Sequence, residues 1–337
     1  MCGISRCFMH NADGCFQLQA GEGGVSEEAF QAAHVPGRQA LQRLQEEYAA
    51  GQLAALSIAA ASDDLPRLNK LARRFSAGAR DIILFGIGGS ALAPRALRQL
   101  ARFMRLGEHI QPELHVMDNP ETPWMERFIS KVDLDGLRFL VISKSGGTAE
   151  TLMQCLWAID YLQVHGMSAD LGSRMLIITE PEGSGEHNPL HRLAALHDIP
   201  VLDHPPDIGG RFSVFSIVGM LPALLLGLDA ARLRAAGRDV LQQTLQAGDD
   251  PRHNPALMGA MLHWAFMRER HLNAVIMMPY TSHLTLFCAW WRQLWAESLG
   301  KQGLGPLPVG AIGPLDQHSQ LQLFLDFVVL RDLWFAG

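Results

Sequence analysis

The sequence predicts an α/β fold: mostly parallel β-sheet with helices laid over both faces. Three observations predict it. Short apolar runs suited to buried strands recur at Asp81–Phe85, Leu137–Ile142, Met175–Thr179, Ile199–Asp203 and Ala274–Met278. Segments with apolar residues at helical spacing lie between them, and alternation of strand and helix implies parallel pairing under covering helices. Two of the runs end in glycine-rich turns that lead straight into helical pattern, Gly86-Ile-Gly-Gly-Ser90 and Ser143-Lys-Ser-Gly-Gly-Thr148.

Taken in order, residues 1–75 read as a helical lead-in, with apolar positions at helical spacing over Leu41–Leu53 and Leu65–Phe75. A first α/β domain follows over 76–208. It holds the strand and turn at Asp81–Ser90, the strand Leu137–Ile142 with its turn and the helix Ala149–Leu162, and the strands near Met175 and Ile199 with a short helix, His191–Leu196, between them. A second α/β domain is expected over 209–337. It opens with the apolar segment Ser213–Leu228 and continues through polar helical sequence to Gln246. The strand at Ala274 and a long helix ending near Ser298 come next. The last stretch, Leu321–Gly337, is apolar with a helical pattern, and no further strand is expected after it.

Composition narrows the class. A chain of 337 residues suggests about two domains at ~100–200 residues each. With 48% hydrophobic and 18% charged residues, it is neither disordered nor low in complexity. A formal net charge of -6 and scattered basic residues give no footprint for nucleic acid. The segment Ser213–Leu228 contains Gly219 and Pro222 and is followed by Asp229. It falls short of the ~20 residues of a membrane span and reads as a buried core helix. The five cysteines, Cys2, Cys7, Cys15, Cys155 and Cys288, are odd in number and lack CxxC pairing. A disulfide framework or zinc cage is not expected, and a reducing cytoplasm is. The opening Met1-Cys-Gly-Ile4 resembles the start of amidotransferases with an N-terminal cysteine nucleophile. The large β-rich domain behind such a cysteine has no room before Asp81, so the match is read as coincidence.

The chemistry is expected in loops. Ser143-Lys-Ser-Gly-Gly-Thr148 offers three hydroxyls, two glycines and a lysine between a strand and a helix start. Glycines let backbone N–H groups close on an anion and the helix dipole adds partial positive charge, so the loop reads as a phosphate cradle. The alternative is a capped helix after a flexible turn. It is not a Walker loop. The Gly86–Ser90 turn fits the dinucleotide fingerprint poorly, but it can present Gly89 and Ser90 to a ligand at the carboxyl ends of the strands. Glu297 closes the tryptophan-rich segment Trp290-Trp-Arg-Gln-Leu-Trp-Ala-Glu297. Partial desolvation there would raise its pKa toward that of a general base; the alternative is an exposed Glu paired with Arg292 or Lys301. His318, in Asp316-Gln-His-Ser-Gln320, is a candidate acid or base by residue type, histidine being the side chain suited to proton transfer near neutral pH. Arg211, behind Gly209 and Gly210, either meets an anionic substrate or developing oxyanion, or caps a neighbouring helix. No HExxH or clustered His/Asp set points to a metal.

Five segments in order, GIGGSALAP from Gly86, SKSGGTAET from Ser143, IGGRFSVFS from Ile208, WWRQLWAESLGK from Trp290 and DQHSQLQL from Asp316, together resemble the bacterial glucose-6-phosphate isomerase family. The resemblance covers roughly residues 40–326 and implies two sugar-isomerase-type, doubly wound α/β domains, with an active site between them completed across a homodimer. It implies that Ser143, Lys144, Ser145 and Thr148 hold the substrate phosphate, and that Gly89, Ser90 and Gln293 line the sugar site. Glu297 would be the base that moves a proton between C2 and C1 through a cis-enediol(ate), and Arg211 would stabilise that intermediate. His318 would open the sugar ring, from the neighbouring subunit. No cofactor is implied. The family continues past the Asp316 region to a lysine in a segment resembling FDQxGVExxK. This segment is absent here, so the resemblance implies a C-terminally truncated chain. A non-catalytic sugar-phosphate-binding module of the same fold, or an isomerase of another phosphosugar such as mannose 6-phosphate, are the competing expectations.

Overall fold

The computed structural model describes residues 10–104, 112–183, 188–326 and 332–334. The chain divides into two compact units, Ala61–Arg232 and the combination of Met1–Ala60 with Leu233–Gly337. These bounds differ from the 75 and 209 read from the pattern. The helix Leu65–Ser76 packs against the helix Ile217–Leu225, which ties both to the first sheet's unit.

That sheet has five strands, β1 (Asp81–Phe85), β2 (Glu113–Met117), β3 (Leu137–Ile142), β4 (Met175–Thr179) and β5 (Val201–Asp203), in the order β2-β1-β3-β4-β5. Every neighbouring pair is parallel. On one face Ile83, Phe85, Phe139, Val141 and Ile177 join Cys155, Ala158 and Leu162 of the helix Ala149–Val164 in a continuous core. Strand alternation sends Ile82, Leu84, Leu140, Ile142, Leu176 and Ile178 to the opposite face, where they are equally buried. Both faces being covered explains why these strands read as unbroken apolar runs and not as alternating ones. Each such side chain taken out of water contributes about 1.5–3 kcal/mol.

The topology also fixes where a ligand can sit. From β1 the chain first goes outward to β2, then crosses back to β3 on the other side of β1. Right-handed crossovers place the connections of those two directions on opposite faces, leaving a crevice beyond the carboxyl ends of β1 and β3. The apolar Ser213–Leu228 stretch is a short 3₁₀ turn (Gly210–Phe215) and the helix Ile217–Leu225, eight of whose nine residues are buried. It is a core helix, as expected. Among the described residues no helix is long and apolar enough to cross a membrane.

The other unit carries a three-stranded parallel sheet, β6 (Ala274–Met277), β7 (Leu307–Gly310) and β8 (Asp332–Trp334), in the order β7-β6-β8. β8 corrects the expectation of a helical tail without a strand: among the described residues of the tail, Leu321–Asp326 is helical and Asp332–Trp334 is a strand. A three-residue segment, Asp332-Leu-Trp, is too short for periodicity to separate helix from strand, and here pairing with β6 decides. The helices His34–Ala49 and Pro255–Glu269 pack together, burying Leu41 against Leu257, Met261 and Leu262. Cys2, Cys7 and the tail segments 327–331 and 335–337 lie outside the described residues. Cys155 and Cys288 are buried thiols, and burial pushes Cys155 up to about 12, which makes it inert as a nucleophile.

Candidate active site

Two left-handed glycines shape a cleft at the crevice beyond β1 and β3. Gly88 (φ 57°) turns the chain out of β1, so that the helix Gly89–Met104 begins at once. Gly89 then meets the main chain of the 3₁₀ turn: a Cβ built on it would lie 2.1 Å from the Gly210 carbonyl oxygen and 2.8 Å from the Arg211 nitrogen. Only glycine permits that approach. Gly146 (φ 66°) turns the loop after β3, and a Cβ there would fall 1.7 Å from Asn188 Oδ1.

The loop between these glycines and β3 is internally wired. The Ser143 N–H donates to the Ile178 carbonyl at 3.0 Å, carrying the β3–β4 pairing one residue into the loop, and the Gly146 N–H returns to the Ser143 carbonyl at 3.2 Å. The Ser143 hydroxyl donates to Thr148 Oγ1 at 3.1 Å, and the Gly147 N–H donates to Ser145 Oγ at 3.3 Å. Thr148 stands at the N-cap of the helix Ala149–Val164, yet its side chain does not cap the helix. The first-turn N–H groups therefore keep their partial positive charge for another acceptor.

The result is a cleft of about 270 Å³ lined by Ile87, Gly89, Ser90, Ile142, Ser143, Lys144, Ser145, Thr148, Glu180 and Gly210. Six sequence-predicted residues thus converge in one place. Arg211 follows the lining residue Gly210 and lies over the Phe212 ring at 4.3 Å. Its segment is fixed by Ser213 Oγ donating to the Gly210 carbonyl (2.6 Å) and by Ser216, which accepts the Val218 N–H at the start of the next helix. A cleft of hydroxyls, main-chain N–H groups and one lysine at a helix start is chemically suited to a phosphate group.

Two residues of this site were not anticipated. Glu180, first after β4, lines the cleft with its carboxylate 3.4 Å from Lys144 Nζ. Asn188 caps the helix Pro189–Leu196 through the Leu190 and His191 N–H groups while donating to Thr179 Oγ1 at 2.7 Å. The Asn-Pro step before a helical pattern is a readable cap signal. Nothing in the sequence pairs Glu180 with Lys144, since 35 intervening residues hide the adjacency of β3 and β4.

The remaining predicted residues belong to the other unit. Gln293 and Glu297 lie one turn apart on the helix Thr285–Leu299, which follows β6, and Gln293 Nε2 donates to Glu297 Oε1 at 2.8 Å. Lys301 Nζ reaches the Glu297 carbonyl oxygen, not its carboxylate, at 3.3 Å. Glu297 is exposed, which agrees with the alternative of an exposed Glu and not with partial desolvation: Trp291 and Trp295 pack on each other at 5.5 Å along another face of the helix. His318 is exposed and follows a turn organised by Asp316, whose carboxylate accepts from the Ile312 N–H, the Ser319 hydroxyl and the Gln320 amide. The Gln320 hydrogen bond, with those from Ile312 and Ser319, holds Asp316 below the usual carboxylate range despite partial burial.

One group of metal-ligating type occurs among the described residues, Asp81, Glu113 and His115. It sits at the amino-terminal edge of β1 and β2, away from the cleft. Its atoms are engaged: His115 Nε2 with Asp81 Oδ1 at 2.7 Å, and Glu113 with Arg98 and Arg102.

Residues 59–304 match the family model described as Phosphoglucose isomerase. A glucose-6-phosphate isomerase of Rubrobacter xylanophilus is 38% identical over 260 residues, covering 74% of this chain and 57% of the relative. A probable glucose-6-phosphate isomerase of Methanococcus maripaludis is 32% identical over 314 residues, 93% of this chain and 68% of the relative. The chain thus spans a little over half to about two-thirds of the length of these relatives. Among solved structures, a hypothetical protein from Thermus thermophilus superposes with a TM-score of 0.75 at 28% identity, over 92% of this chain and 72% of that one. A glucose-6-phosphate isomerase from Chlamydia trachomatis shares the fold, with a TM-score of 0.62 at 24% identity over 77% and 50%. With the sheet order, the cleft at its switch point and the family match over most of the length, the chain belongs to the phosphoglucose isomerase family.

Proposed function

We propose that the chain acts in the interconversion of glucose 6-phosphate and fructose 6-phosphate, an intramolecular aldose–ketose isomerisation through a cis-enediol(ate). The observation that carries this reading is the cleft: Ser143, Lys144, Ser145 and Thr148 share one lined crevice with Gly89 and Ser90. There the ester phosphate is anchored by hydroxyls and N–H groups, and its remote binding energy orients the sugar carbons for reaction. Glu297 is the proposed base shuttling a proton between C2 and C1, held on its helix by Gln293, which also lines the sugar site. Arg211 stabilises the negative charge that develops on the enediolate oxygens. His318, supplied by the neighbouring subunit of a homodimer, opens the ring. The chemistry needs a base and electrostatic stabilisation of oxygen, with no change of redox state overall. A cytoplasmic location accords with a phosphosugar substrate.

A second reading, a phosphosugar-binding module without turnover, is favoured by one observation: Glu297 is exposed on its own unit. The two separate in one experiment. The purified chain is given fructose 6-phosphate in deuterated water, and glucose 6-phosphate and deuterium at C2 are followed. Turnover with exchange is expected, and Glu297→Gln is expected to abolish exchange while phosphosugar affinity stays within about twofold, because the base acts in the transition state. Binding without exchange by the parent chain establishes the module.

A further inference from the structure

The cleft that we read as a phosphate cradle carries its own anion. Of the ten lining residues, Lys144 and Glu180 are the two charged ones, and their charges cancel. Their placement is built, not incidental. The Glu180 N–H donates to the Lys144 carbonyl at 2.9 Å, while the Glu180 carboxylate lies 3.4 Å from Lys144 Nζ, so main chain and side chain clamp the same two residues together. The Glu180 carbonyl is held in turn by His191 Nε2 at 2.8 Å, and Thr179 Oγ1 donates to the Lys144 carbonyl at 3.1 Å. Lys144 Nζ also donates to the Pro206 carbonyl at 2.7 Å. Both side chains are about three-quarters buried, at 30% and 22% exposed, so their fields are only partly screened by water.

We infer that Glu180 is a specificity- and affinity-setting residue of this cleft: a fixed counter-anion that occupies the lysine in the free protein and limits how tightly a phosphate group is held. The inference rests on the phosphate reading above. A phosphate entering the cleft meets hydroxyls and N–H groups that favour it and a carboxylate that opposes it. Lys144 is shared between the two anions. The net attraction is therefore that of neutral donors and the helix dipole, not that of a free cation. Such a brake suits a site whose reactant and product carry the same phosphate, since uniform tightening of both would slow release without speeding the chemistry. It also discriminates against ligands with a second anionic group near the cradle, which lie closer to the carboxylate.

The test is calorimetric titration of the full chain with inorganic phosphate and with fructose 6-phosphate, for the parent, Glu180→Gln and Glu180→Asp. Gln keeps the shape and an acceptor for Lys144 but removes the charge. Glu180→Gln is expected to bind both ligands about 3- to 30-fold more tightly, the scale of removing one partly screened charge beside an anion. The gain shrinks as salt is raised. Glu180→Asp, which keeps the charge, stays within about twofold of the parent. A mutation that merely loosened the loop would weaken phosphate binding, so the direction of change separates the two roles. Unchanged or weaker binding by a folded Glu180→Gln protein, with the parent binding phosphate normally, overturns the inference and leaves the cradle intact. No phosphate binding by the parent overturns the cradle and this inference together. Should the Gln variant not fold, the Asp variant and the salt dependence of the parent decide: a retained charge with phosphate binding that is lost in Glu180→Asp overturns the brake.

Discussion

His204 stands directly behind the cradle and makes a chemical statement of its own. It is fully buried, and its Nδ1 donates to the Pro205 carbonyl at 2.9 Å. Its Nε2 has no partner among the described residues. Burial holds its pKa below the ordinary histidine value, with the Pro205 carbonyl and Glu180 pulling upward and Lys144 adding to the lowering. The folded chain thus keeps this imidazole neutral at pH values where the unfolded chain, near 6.5, takes a proton. Below about pH 6.5 the unfolded state binds more protons and stability falls as pH falls, levelling off beneath the folded pKa. Denaturation midpoints measured between about pH 5 and 7.5 should therefore drop on the acid side in the parent. His204→Asn, which cannot titrate, should show a shallower drop, and equal slopes would contradict this account.

At the scale of elements, the strands that could be read from the sequence and those that could not divide by position in the sheet. β1, β3, β4 and β6 are interior strands with covered faces, and their apolar runs matched the structure to within a residue. β2, β7 and β8 are edge strands and were not anticipated. β2 reads Glu-Leu-His-Val-Met, with its charged and titratable positions facing the arginines of a neighbouring helix and Asp81. β7 contains Pro308, which central strands exclude. The remaining edge, β5, is two residues shorter than the run suggested. The site divides in the same way. The cradle loop is contiguous and its chemistry is legible as written. Glu180 and Asn188 reach it from the end of β4 and the connection after it, and only pairing of β3 with β4 reveals them. The loop itself gives a prediction. Gly146→Ala places a side chain at φ 66° and against Asn188 Oδ1. That is a strain of about 1–2 kcal/mol before any clash, so a lower denaturation midpoint is expected together with weaker phosphate binding. An unshifted midpoint would mean that the loop relaxes freely.

For the whole molecule, what matters is that the cleft belongs to a single stretch of chain. Every lining residue falls within Ala61–Arg232, a unit with its own five-stranded sheet and a core of its own residues on one face of that sheet. Expressed alone, residues 61–232 should unfold cooperatively and bind inorganic phosphate within about threefold of the full chain, because the contacts that shape the cradle are internal to the unit. Loss of binding by a folded 61–232 fragment would show that the second unit contributes to the cradle. Isomerisation is not expected of the fragment, since Gln293, Glu297 and His318 lie outside it. Anchoring and proton transfer are thus proposed to be divided between two separately packed bodies.

The contact between Gly89 and Gly210 has a genetic corollary. Most tight contacts in a protein are side chain against side chain, and an enlarged residue on one side can be forgiven by a trimmed residue on the other. Here both participants are already glycine, and the atom that a Gly89 methyl group would strike is a main-chain carbonyl oxygen. Nothing remains to be trimmed. A selection for revertants of Gly89→Ala should accordingly yield true reversion at position 89 and no intragenic suppressor at Gly210, whereas Gly210 itself, where an added Cβ meets nothing within 4 Å, should accept alanine: the constraint on this junction runs one way.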